Sequence, residues 1–125
     1  MYVGEVSSVN AERVPAEAAE AAVGRLREMS ADLRGCALIG PSGRVLAATG
    51  EADRWGGPAA ELLSAADAAG DEPASHAHVA TEDGEAFAVR HEDLAMVAVA
   101  ERFTLASLMI FDMRAVLRDL VREMA

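Results

Sequence analysis

The chain has 125 residues, room for one domain whose core can sustain itself, and 52% of them are apolar, which excludes a disordered chain. Twenty-one acids stand against eleven bases, all of them Arg, for a formal charge of −10; that balance repels phosphate backbones and anionic lipid and argues against nucleic acid and membrane surfaces as partners. The one cysteine, Cys36, cannot form an internal disulfide, the first ten residues lack a basic region followed by an apolar run, and no apolar stretch reaches ~18 residues, so the expected location is cytoplasmic with no membrane insertion.

Residues 1–14 carry Gly, Ser and Asn without a period and read as a flexible N-terminal arm, leaving 15–125 as a single domain. Pro15 suits a helix first turn, Glu17 and Glu20 favour a helix N-terminus, and Val23, Leu26, Met29 and Leu33 make a narrow apolar stripe stopped by Gly35. That spacing predicts a helix over roughly 15–34. Cys36–Ile39 and Arg44–Thr49 flank Gly40-Pro41-Ser42-Gly43 and read as a β-hairpin.

An Ala-rich segment follows, with the firm helix expected from Pro58 to Gly70. Its small or apolar residues run nearly all round, and such a helix is usually covered on more than one side. In so short a chain another subunit could supply the second cover. His76–Thr81 and Ala86–His91 then flank Glu82-Asp83-Gly84-Glu85, where Asp-Gly signals a type I′ turn. His91-Glu92-Asp93 turns into Leu94–Ala100, an unbroken apolar run that reads as a central strand buried on both faces. A last helix begins near Thr104, with Leu105, Leu108, Met109, Met113, Val116, Leu117, Leu120 and Met124 as its apolar face and Arg114, Arg118 and Arg122 on its polar one.

The order α-β-β-α-β-β-β-α implies an α/β (α+β) domain, a five-stranded antiparallel sheet with helices on both faces. The stretch Gly35-Cys36-Ala37-Leu38-Ile39-Gly40-Pro41-Ser42-Gly43-Arg44-Val45-Leu46-Ala47-Ala48, with the Ala-rich second helix, the acidic-Gly hairpin and the long last helix, resembles the roadblock/dynein light chain domain family from about residue 16 onward. The resemblance implies a profilin/longin-like fold and a homodimer through the second helix and third strand, placing Ala59, Leu62, Leu63, Ala66, Ala69 and Val79 at the interface. It further implies a non-catalytic regulator or scaffold for a small Ras-like GTPase or signalling complex, with no cofactor.

Three histidines are the one chemical cluster. A two-residue Asp83-Gly84 turn would set His76 opposite His91 and His78 opposite Val89, so the three would share a sheet face and could hold Zn²⁺ for a small metal-dependent enzyme. No carboxylate is placed by local sequence to orient a ring. The preferred expectation is that they sit at the sheet's end without metal and that the chain is not an enzyme; a ligand-sensing domain of related fold is the other alternative. Cys36 lies in an apolar strand where a thiol is inert packing. Ser42 is a turn residue, and with no Lys there is no phosphate loop. The Arg114, Arg118, Arg122 stripe is either a solvated face or a partner docking site, and Trp55 either a core plug or an interface anchor.

Overall fold

The computed structural model describes residues 14–70 and 75–124; the expected N-terminal arm lies almost wholly outside the described residues. The elements in chain order are α1 (Ala16–Met29), β1 (Leu33–Ile39), β2 (Val45–Ala48), α2 (Gly56–Ala68), β3 (His76–Ala80), β4 (Glu85–His91), β5 (Leu94–Ala100) and α3 (Ala106–Met124), with a single 3-10 turn at Ala52–Arg54 before α2. The five strands pair antiparallel throughout, in the order β2-β1-β5-β4-β3. The expected element order and sheet are therefore present, and β5 sits at the sheet's centre.

Alternation along the strands builds two cores of different character. Cys36 and Leu38, Phe87 and Val89, and Leu94, Met96 and Ala98 point to one face, where α1 and α3 cover them. Ala37, Ile39, Ala88, Ala95 and Val97 point to the other, where α2 lies with Ala59, Leu62 and Leu63. The first core is built of large side chains and the second of small ones. α1 feeds the first core with Ala19, Ala22, Val23 and Leu26, the i, i+3, i+4, i+7 pattern of a half-buried helix.

Four boundaries differ from the sequence reading, each for a local reason. α1 ends at Met29, with the N–H of Ser30 bonded to the Leu26 carbonyl, and Leu33 opens β1 opposite Ala100 instead of closing the helix. α2 starts at Gly56, two residues early, because Pro58 falls within its first turn, where a missing N–H costs nothing. The β3–β4 register is set by a longer turn: Ala80 faces Glu85, His78 faces Phe87 and His76 faces Val89. Thr81 fixes that turn, its hydroxyl bonding the Gly84 carbonyl at 2.8 Å and accepting from the Gly84 N–H at 3.1 Å. Gly84 is there for space, since a Cβ would lie 2.6 Å from the Ala100 carbonyl oxygen and 2.8 Å from an Arg34 nitrogen.

The fourth difference is on α3. Met109, Met113, Val116, Leu117, Leu120 and Val121 face the core, whereas Leu105 and Leu108, expected there, are 64% and 55% exposed. They join Phe111, 65% exposed, in a stripe three residues apart along the solvent side of the helix.

Candidate functional site

Three surfaces of the fold carry features that packing alone does not demand. The first is the α2–β3 edge. β3 is an edge strand with one paired side, and among its residues Ala77 alone is half-buried. Of the thirteen residues of α2, only Ala59 is buried. Leu62, Ala65, Ala66 and Ala69 line a groove along Ala77 and Val79, so four of the six residues expected at a dimer interface share one open surface. The other two lie elsewhere: Ala59 is 1% exposed against the sheet, inside the chain, and Leu63 turns toward Ile39 and Leu94.

The second surface is the solvent side of α3 and the turn before it. Phe103 stands 84% exposed at φ +65°, a left-handed conformation rare for a bulky residue, with the Arg102 guanidinium 4.8 Å from its ring centre. Thr104 holds the turn through its hydroxyl, which donates to the Glu101 carbonyl at 2.6 Å. Beyond it the stripe Leu105, Leu108, Phe111 leads into Arg114, Arg118 and Arg122, all exposed. Sequence reasoning identified the arginines and assigned the two leucines to the core; Phe111, at the same helical spacing, was the missed signal.

The third concerns the histidines: the observed register keeps all three on the sheet face that α3 covers, but sets His76 opposite Val89 instead of His91. His78 stacks on Phe87, ring centres 4.5 Å apart, and its Nε2 lies 2.5 Å from the Glu85 carboxylate, so a carboxylate does orient this ring, contrary to the expectation. His76 sits opposite Val89 and accepts at Nδ1 from the Arg114 guanidinium at 2.9 Å. His91 pairs across the last turn with Leu94, its Nε2 3.6 Å from Glu92. Each ring thus has its own partner. No group of three or more His, Cys, Asp or Glu among the described residues is placed to hold a metal ion.

The remaining candidates settle into structural roles. Cys36 is fully buried with its Sγ toward the Val23 carbonyl, and burial pushes its thiol up to about 11. Trp55 is half-buried, packs against the small-residue core and donates Nε1–H to the Thr49 carbonyl at 3.1 Å. Ser42 is exposed in its turn. A cavity of about 220 Å³ lies beside Gly40, Leu63 and Leu94. No helix among the described residues is long and apolar enough to cross a membrane.

The geometry finds its likeness in solved structures. A Roadblock/LC7 domain from Streptomyces avermitilis superimposes with TM-score 0.70 over 83% of this chain and 95% of that one, at 16% identity. The fold is that of a roadblock domain. The gliding protein MglB of Thermus thermophilus matches with TM-score 0.72 at 18% identity, covering 94% of this chain and 96% of that one. MglC from Myxococcus xanthus matches with TM-score 0.56 at 11% identity, over 82% and 96%. No protein-family model and no curated protein sequence matches the chain, so the likeness shown is one of fold.

Proposed function

We propose that this roadblock-fold chain is a dimeric, non-catalytic regulator or scaffold for a small Ras-like GTPase or a signalling complex built around one. The observation that carries the reading is the open α2–β3 edge. An edge strand with unpaired backbone groups is a template for pairing with another chain, and natural proteins normally blunt such an edge. Here it is bordered by Leu62, Ala66, Ala69 and Val79. A second copy related by a two-fold axis would cover both elements at once, with the same patch on each subunit.

The partner surface we assign is the solvent side of α3, where Phe103, Leu105, Leu108 and Phe111 offer apolar area and Arg114, Arg118 and Arg122 offer charge. A patch that pairs aromatic anchors with arginine is the composition of binding hot spots. Support for the GTPase comes from the fold shared with MglB and MglC and from the family resemblance, and no nucleophile, base and orienting group converge among the described residues.

Sedimentation at micromolar concentration is expected to show a species of twice the 13.1 kDa chain mass. Leu62→Glu is expected to weaken the dimer, and Val79→Glu, on the same groove and 44% exposed in the single chain, to shift it to monomer while keeping the fold, because that carboxylate would be buried unpaired in the dimer. Calorimetry against a Ras-like GTPase of the same organism, loaded with GTP analogue or GDP, then reads the partner. Preference for one form is expected, since the switch regions reorder with the γ-phosphate. A monomeric wild type would sink the dimer, and no binding to any such GTPase would sink the partner.

A further inference from the structure

Between β4 and α3 the surface folds into a pocket of about 160 Å³ lined by Val89, Arg90, His91, Arg114 and Arg118. Its charge runs against that of the chain as a whole, which is −10. Three cationic or imidazole side chains, His91, Arg114 and Arg118, gather here from two elements, and a fourth group, His76 of β3, touches the rim through Arg114.

The counter-charges around it are accounted for. Arg90 is held on the opposite side of the sheet by both oxygens of Asp67, at 2.5 and 2.8 Å. Asp119, next to Arg118 in the chain, is bonded by Arg25 at 2.9 Å. Glu92 approaches His91 from the turn at 3.6 Å, and Asp93 is exposed beside it. Arg114 and Arg118 make no ion pair within 4.0 Å among the described residues. In a chain with twenty-one carboxylates, Arg114 donates instead to the lone pair of an imidazole, which gives it orientation and no neutralising charge.

We propose that this pocket binds a phosphate group, with Arg114 and Arg118 as its two clamps and His91 at its floor. Two guanidinium forks one helical turn apart offer more donors than a single carboxylate accepts, and two charges in no direct ion pair among the described residues match a phosphate monoester, which carries about −1.5 to −2 and three acceptor oxygens. Val89 closes the apolar back of the pocket, so a bound oxyanion is partly desolvated and its hydrogen bonds gain strength. The phosphate can be free in solution or sit on a modified side chain of another protein; the pocket recognises the group both share. The site shares Arg114 and Arg118 with the partner surface proposed above, but the isolated protein is enough to test it, so its failure is distinguishable from failure of the GTPase reading.

The test is an NMR titration at fixed ionic strength with three probes: inorganic phosphate, a short peptide with one phosphoserine, and the same peptide with Glu in its place. Saturable shifts are expected at His91 and at the side chains of Arg114 and Arg118 with both phosphate probes. R114Q and R118Q should each weaken them by about tenfold, the scale of a lost charged hydrogen bond. R44Q, in the exposed turn between β1 and β2, should leave them unchanged. Tighter binding of the phosphopeptide than of inorganic phosphate would assign the source to a modified protein, and equal binding would assign it to the free ion. No saturable shift, an equal response to the Glu peptide, or binding indifferent to R114Q and R118Q would overturn the proposal. Both arginines are exposed, so the variants are expected to stay folded, and the spectra themselves report whether they do.

Discussion

At the scale of single residues, several side chains that look chemical are held in structural work. Cys36 is the plainest case. It occurs once, on a strand paired on both sides, and its thiol stays protonated because burial pushes its pKa up to about 11. The thiolate is the nucleophile, so at pH 8 native protein should react with a disulfide reagent only as fast as it opens. Labelling kinetics with and without urea check this: full reaction in denaturant and near-complete protection without it is the expected pair. Rapid labelling of native protein would mean the strand is far more accessible than its packing against Val23 allows. The same contrast between chemical type and actual role holds for His78, which is occupied by stacking on Phe87 and by its Glu85 contact. Arg34 likewise spans elements, bonding both oxygens of Glu101 at 2.8 and 2.9 Å over Gly84. That bond and the arginine's charge hold the Glu101 carboxyl below its usual range.

At the scale of elements, α3 separates the core from the surface in a way that can be measured. Met113 is fully buried and Phe111 is 65% exposed two positions away. Met113→Ala is expected to cost about 2–5 kcal/mol, the cavity-forming range for a buried large-to-small change. Phe111→Ser should change stability by no more than about 0.5 kcal/mol, as a surface substitution does. Urea unfolding of the two variants decides it, and equal losses would put Phe111 in the core after all.

That helix also marks the limit of what the sequence makes legible. Element order, the central position of β5 and the two-sided sheet follow from apolar runs and turn residues, because those signals are local. The assignment of Leu105 and Leu108 to the core fails because apolar residues recur on two sides of α3, and periodicity cannot say which side meets the sheet. The β3–β4 register fails similarly. Asp83-Gly84 satisfies the hairpin signal, but the Thr81 hydroxyl closes a longer turn, and Gly84 is needed beneath Arg34 and the Ala100 carbonyl, contacts from distant strands. Leu33 fits either the helical stripe of Leu26 or the start of β1, and only its pairing with Ala100 decides. Of the functional surfaces, the arginine stripe and the small-residue helix could be read, whereas the pocket they help build needs β4 beside α3.

At the scale of the whole molecule, charge makes the two proposed associations respond to salt in opposite directions. Each copy carries −10, so two copies repel as they approach. The α2–β3 surface that would join them is mainly apolar, lined by Leu62, Ala65, Ala66, Ala69 and Val79 beside His76 and His78. Raising ionic strength from about 10 mM to about 150 mM shortens the screening length from ~30 Å to ~8 Å and removes most of the repulsion between exposed charges. The dimer should therefore tighten as salt is added, with the apolar contribution left nearly intact. A partner drawn in by opposite charge should behave the other way, associating fastest at low salt and more slowly as salt rises. Sedimentation of the protein alone and stopped-flow association with a bound GTPase, run across the same salt series, give the two slopes separately. A dimer that loosens with added salt would place ion pairs at its interface, and the α2–β3 edge would then be the wrong surface.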